Sequence, residues 1–152
     1  MNIEIEDNPK VEDIQIIKDG LQTYNESKNQ FRNGKMLAVF LRDKSGDIKG
    51  GFYGSTKWGW LYIQHIWVDK SLRGCGYGRQ LLVTAEKQAL KRNCKHSYVD
   101  TLSFQNACEF YKTLGYEKFG ELDHFPEGHS LLFMRKMNIK QYYITTKRYQ
   151  IH

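Results

Sequence analysis

The period of the hydrophobic positions changes several times along the chain, and each change marks an element. "NIEIE" alternates like a short strand. "VEDIQIIKDGLQTYNESK" places Val11, Ile14, Ile17, Leu21 and Tyr24 at steps of three and four, which predicts an amphipathic helix. "KMLAVFLRD" reads as a strand and "KSGD" as a turn, because Gly and Asp accept a tight backbone. "IKGGFYGSTKWGWLYIQHIWVD" reads as two strands with a break near Trp58-Gly59. The second of these, "WLYIQHIWV", is apolar on both faces, as a central buried strand is.

In "RQLLVTAEKQALKRN", Leu82, Ala85 and Ala89 share one helix face, and Lys91 and Arg92 suit the negative end of the helix dipole. "KHSYVDTLSF" is a further strand, and "NACEFYKTLG" is a short helix with Gly115 as its C-cap. "YEKFGEL" and "SLLFMRKM" are the last two strands, separated by the loop "DHFPEGH". No repeat, Pro-rich linker or low-complexity block interrupts the pattern. It predicts one mixed α/β domain over residues 1–138, a central sheet with helices packed on it. Residues 139–152 form a basic tail, "KQYYITTKRYQIH" with one residue before it, expected either to pair with another subunit's sheet edge or to stay disordered.

Composition narrows the class. With 152 residues, 40% hydrophobic and 26% charged, the chain can bury a core without metal or disulfide staples. Its apolar runs fall far short of the roughly 20 residues that cross a bilayer. The acidic start "MNIEIEDNPK" lacks a signal-peptide core, so a cytoplasmic protein without membrane attachment is expected. Cys75, Cys94 and Cys108 are odd in number and contain no C-x-x-C pair, which suggests neither a disulfide framework nor a metal site. The net charge of +6 fits a nucleic-acid binder or a protein that holds a polyanionic small molecule. No nucleic-acid recognition motif accompanies it, so no nucleic-acid partner is expected.

The stretch "LRGCGYGRQLL" sharpens the second option. Gly74, Gly76 and Gly78 lie between a buried strand and a helix. A helix N-terminus offers unpaired N–H groups and partial positive charge, and glycines let a ligand come close to them. The same glycines also fit a bare tight turn. The spacing is neither G-x-x-x-x-G-K-[ST] nor G-x-G-x-x-G, which excludes those two phosphate loops.

The arrangement Arg73-x-x-Gly76-x-Gly78 after "IWVD" resembles the pyrophosphate loop of the GNAT superfamily of acetyl-CoA-dependent N-acetyltransferases, [QR]-x-x-G-x-[GA]. A second motif agrees: Ala107, Tyr111, Gly115 and Tyr116 match that family's A-x-x-x-Y-x-x-x-G-[FY]. The resemblance covers Lys35 to Lys136, and the N-terminal helix loosely. It implies the GNAT fold, an α/β (α+β) class with a central mixed, mostly antiparallel sheet flanked by helices. It also implies acetyl-CoA as co-substrate, no metal, and a small-molecule amine as acceptor. Family habit admits a homodimer.

The resemblance further implies roles for residues. Backbone N–H groups of Arg73, Gly74, Cys75, Gly76, Tyr77, Gly78 and Arg79 would bind pyrophosphate. Ile66, Trp67 and Val68 would pair with the pantetheine arm like an added strand, the Val68 N–H facing the carbonyl. Tyr111 would be the general acid for the departing thiolate, or else a core aromatic. Many relatives carry an asparagine seven residues before that tyrosine. Here Phe104 stands there and the nearest asparagine is Asn106, so which of the two meets the pantetheine stays open.

The general base is less defined. "LYIQHIWV" has no carboxylate, which leaves His65 or water, and His65 also fits a structural role in a buried strand. Asp100 is a candidate for substrate binding through water, or a helix-cap or strand-end residue. His124, with Glu121, Asp123 and His129, either lines an acceptor pocket or belongs to a solvated loop. Tyr24 and Asn25 fall where this family places a segment over the acceptor, although Tyr24 also completes an apolar helix face. Trp58, Trp60 and Trp67 form either an aromatic wall or core. The leading expectation is acetyl transfer to a primary amine of a small molecule by direct attack in a ternary complex. The alternatives are a protein lysine or N-terminus as acceptor, or a non-catalytic coenzyme A-binding module.

Overall fold

The computed structural model describes residues 1–28 and 34–149, which belong to two compact units, Met1–Asn33 and Gly34–His152. Among its described residues the first unit contains one helix, α1 (Val11–Lys28), at the bounds its periodicity predicts. Glu12 and Asp13 sit in its first turn and Lys28 in its last, each at the dipole end that favours it. Gln15 donates to Asp19 and Gln22 to Glu26 along one flank, both four residues apart. "NIEIE" forms no strand. Alternation alone cannot hold a strand, whose backbone groups need a neighbouring chain to pair with.

The second unit is built on a six-stranded sheet in the order β1-β2-β3-β4-β6-β5. The strands are β1 (Lys35–Arg42), β2 (Ile48–Lys57), β3 (Trp60–Val68), β4 (His96–Leu102), β5 (Glu117–Asp123) and β6 (Ser130–Lys136). Every neighbouring pair is antiparallel except β3 and β4. That parallel pair requires a long crossover, which α2 (Tyr77–Lys91) supplies. The β2–β3 hairpin closes at Trp58-Gly59, both with positive φ (51° and 83°), the conformation whose twist suits a two-residue hairpin. Asp43 shapes the β1–β2 turn, its Oδ1 accepting from the N–H groups of Ser45 and Asp47.

One face of the sheet holds the core. Leu81, Leu82, Ala85 and Ala89 of α2 pack on Leu37, Phe52, Leu61, Ile63, Val99 and Met134. The short helix α3 (Cys108–Thr113) adds Tyr111, with Leu114 and Tyr116 just beyond it. The segment expected to be a tail is instead a helix, α4 (Ile139–Tyr149). Ile139 is fully buried, its N–H donates to the Lys95 carbonyl, and the Tyr143 hydroxyl donates to Glu86 of α2. Ile139 is thus buried in this unit and Tyr143 is bonded to its α2, contacts within the chain's own second unit.

Glu86 belongs to a buried polar group that periodicity does not reveal. Lys136 Nζ reaches Glu86 at 2.9 and 3.0 Å, and both side chains are 1% exposed. Tyr116 donates to Glu86 at 2.7 Å and lies as close to Ser97 Oγ. The Lys136 ammonium also lies 3.9 Å from the Tyr142 ring centroid, a cation–π contact. Burial holds the Lys136 pKa below its usual value, with Glu86 opposing the shift.

Candidate active site

The parallel pair in the middle of the sheet comes apart. β3 pairs with β4 only from Trp60 to Ile63, against His96 to Val99. Beyond that point β3 stays with β2 as far as Val68, and β4 stays with β6 as far as Leu102. A fork therefore opens past Ile63 and Val99. The β4-facing backbone edge of β3 has no strand partner there, so an extended ligand can pair with it.

Gln64 marks the split. The β2 register passes from Tyr53 opposite His65 to Gly54 opposite Ile63, leaving Gln64 as an extra residue, a β-bulge. Uninterrupted alternation would carry His65 to the core side with Leu61 and Ile63. The bulge instead returns Ile66 and Val68 to the core, while His65 and Trp67 are exposed, Trp67 by 51%. His65 is thus not in a buried setting; its ring stacks on Tyr53, 6.2 Å between centroids. The side-chain oxygen of Gln64 is buried with no hydrogen-bond partner among the described residues.

The glycine loop follows the end of β3. Asp69 Oδ1 accepts from the Ser71 N–H at 2.9 Å and starts a single 3₁₀ turn over Lys70–Leu72. Arg73 Nε then reaches back to the Val68 carbonyl at 3.0 Å, tying the loop to the strand. Gly74 (φ 76°) and Gly76 (φ 83°) take left-handed backbone, and a Cβ on either would meet nothing within 4 Å. The loop there is both a tight turn and an unobstructed backbone. Gly78 differs: a Cβ there would touch Phe110 of α3 at 3.4 Å. The N–H groups of Gly74, Cys75, Gly76, Tyr77, Gly78 and Arg79 have no acceptor among the described residues. These unpaired donors, the positive end of α2 and the exposed cations Arg73 and Arg79 suit a pyrophosphate.

Asp100 stands at the fork, and Tyr111 lies near enough to feel its charge. Tyr111 is 6% exposed, packed edge-on against Phe110 and Tyr116, and its hydroxyl has no hydrogen bond among the described residues. Burial, reinforced by the charge of Asp100, pushes its pKa up to about 12. The phenol therefore keeps its proton at neutral pH. Asp100 is the first β4 residue past the last pairing with β3. The Tyr62 hydroxyl donates to its Oδ1 at 2.8 Å, and Oδ2 has no partner among the described residues. Burial and this carboxylate push Tyr62 up to about 12 as well.

The other candidates are more dispersed. Phe104 and Asn106 follow β4 on a 3₁₀ turn, both exposed; Phe104 meets the His129 ring edge-on at 5.0 Å, and Asn106 takes left-handed backbone. His124 lies in the β5–β6 loop, exposed, with Nδ1 3.1 Å from Oε1 of its neighbour Glu127. Tyr24 and Asn25 lie on α1 in the other unit, where Lys28 approaches the Tyr24 ring at 5.5 Å. Among the described residues, no group of three or more His, Cys, Asp or Glu is placed to hold a metal ion. No helix among them is long and apolar enough to cross a membrane.

A groove of about 770 Å³ occupies the sheet face opposite α2. Trp60, Tyr62 and Tyr98 line it, with Phe119, Lys57 and Arg135. Tyr62 and Tyr98 stack at 4.7 Å, and Trp60 meets Tyr98 edge-on at 5.9 Å. An aromatic wall is present and includes Trp58 and Trp60, but Tyr62 and Tyr98 belong to it as well and Trp67 is not among its lining residues.

The site thus combines a sheet that forks at its one parallel pair with an open N–H cradle after the strand. The comparisons agree. The acetyltransferase (GNAT) family model matches residues 3–116, so the chain belongs to that family and is a GNAT acetyltransferase, an acetyl-CoA-using class. It is 32% identical over 136 residues to acetyltransferase Atu2258 of Agrobacterium fabrum, covering 90% of this chain and 98% of that one. It is 34% identical over 95 residues to blasticidin-S acetyltransferase of Streptomyces morookaense, covering 62% of this chain and 69% of that one. A solved structure from Agrobacterium tumefaciens, 32% identical, superposes with a TM-score of 0.84 over 90% of this chain and 99% of its own.

Proposed function

We propose that the protein transfers the acetyl group of acetyl-CoA to a primary amine of a small molecule, by direct attack at the fork. The observation that carries this is the open β3 edge followed directly by six unpaired N–H groups of the glycine loop. Acetyl-CoA supplies the acetyl group as a thioester. The loop holds its pyrophosphate, and Ile66 to Val68 orient the arm along the open strand edge. The Val68 carbonyl is already taken by Arg73, so the arm relies on the remaining groups of that edge.

Asp100 Oδ2 holds the acceptor's ammonium beside the fork, and solvent takes one proton to give the neutral amine. The nitrogen lone pair then forms the N–C bond as the C–S bond breaks. Tyr111 delivers its proton to the departing sulfur and regains one from solvent, into which the acylated nitrogen releases one. Burial keeps the phenol protonated at neutral pH, the form that can donate to the departing sulfur. His65, exposed on the outward face, is a candidate route for the nitrogen's proton. One relative is named for a small-molecule acceptor, blasticidin S, which supports a small molecule over a protein.

The test is thiol release from acetyl-CoA with and without primary amines, on wild type and Tyr111→Phe. Amine-dependent release is expected, with kcat reduced about 100-fold in the variant, within the range for a lost general acid, and KM for acetyl-CoA little changed. Release that ignores amines, or a variant with wild-type kcat, would refute the reading.

A further inference from the structure

We infer that the acceptor is a monoamine carrying a flat aromatic or heteroaromatic ring, uncharged or anionic away from the amine, rather than a linear polyamine. This rests on the amine acetyltransferase reading above and names the acceptor class of that site. The groove and the fork share a wall: Tyr62 lines the groove with its ring and donates to Asp100 with its hydroxyl. An ammonium on Asp100 therefore places the rest of its molecule along Tyr62, toward Tyr98 and Trp60.

The size of the groove argues against a slender chain. About 770 Å³ lies within the range of sites for drug-sized ligands. Its aromatic lining, with Tyr62 and Tyr98 stacked on one another, offers a broad apolar surface that a planar ring covers and a methylene chain covers poorly. Charge argues against a second ammonium. Lys57 and Arg135 line the groove, the first 4.3 Å over the Trp58 ring and the second 5.3 Å over Phe119. Glu117 offsets Arg135 at 3.0 Å, and no carboxylate pairs with Lys57 among the described residues. A carboxylate bonded to one lining tyrosine, and excess cation among the lining residues themselves, select for an amine whose remainder is uncharged or anionic.

The experiment compares tryptamine, tyramine and tryptophan amide with putrescine and spermidine, reading thiol release and, by calorimetry, binding to the CoA-loaded enzyme. Ring amines are expected to show kcat/KM at least tenfold above the polyamines. Tyr98→Ala should raise KM for ring amines about tenfold and leave that for putrescine near wild type. Lys57→Glu, a change at an exposed position, should shift the spermidine-to-tryptamine ratio of kcat/KM about fivefold toward spermidine without a loss of folding. Polyamines as the better acceptors, or ring amines that neither bind nor react, overturn the inference. Failure to bind acetyl-CoA at all overturns the underlying enzyme reading instead, and the calorimetric arm separates the two.

Discussion

The Tyr62 hydroxyl and Asp100 Oδ1 meet at 2.8 Å from neighbouring strands, at the point where those strands begin to part. The bond joins the groove to the fork and leaves the second carboxylate oxygen open. Asp100→Asn keeps an acceptor for Tyr62 but removes the charge. KM for the amine is expected to rise about tenfold or more, with KM for acetyl-CoA little affected. Amine KM unchanged in the asparagine variant would reduce Asp100 to a strand-end residue.

Glu86 and Lys136 set a separate prediction about stability. Each is buried and each is the other's counter-charge. Glu86→Ala leaves an uncompensated ammonium under Tyr142 and Tyr143, and a loss of about 3–5 kcal/mol is expected in urea unfolding. The double variant Glu86→Leu with Lys136→Met should recover most of that, because an apolar pair removes both desolvation costs. A single variant as stable as wild type would show that the pair is not buried in solution.

Alkaline stability follows from the tyrosines. Tyr62 and Tyr111 are pushed up to about 12, and Tyr116 and Tyr143 are also raised, all chiefly by burial. The folded state keeps these protons where the unfolded chain loses them, near pH 10. Their contribution is complete below about pH 10 and is lost as pH rises toward 12. Lys136, lowered rather than raised, runs the other way but is a single group. The urea midpoint is therefore expected to fall between pH 9 and pH 11. It should fall less in a variant carrying both Tyr62→Phe and Tyr111→Phe.

Local chemistry made much of the fold legible. The hairpin at Trp58-Gly59, the bounds of α1 and the Gly115 stop after α3 depend on residues within one turn of the feature they set. α4 was written as well, since Ile139, Tyr142, Tyr143 and Thr146 recur at steps of three and four. The surrounding cations made the segment read as a tail.

The site was legible only in part. The glycine loop and Tyr111 announce themselves by spacing. The side on which His65 emerges depends on a one-residue bulge set by the pairing of β2 with β3, which no period in β3 encodes. A glutamine in an otherwise apolar run was the available hint. Glu86 and Lys136 are 50 positions apart, and Lys57, Phe119 and Arg135 come from three strands. Such groupings exist only once the sheet order is fixed.

The most direct test of the fork and its cradle is calorimetric titration of acetyl-CoA into wild type and Cys75→Glu. Cys75 is exposed, lies between the two left-handed glycines and has no left-handed φ of its own, so the new carboxylate strains nothing. Micromolar binding by wild type, weakened at least tenfold in the variant, is the expected result. Equal binding by both would place the pyrophosphate elsewhere, and no binding by wild type would contradict acetyl-CoA use at this site.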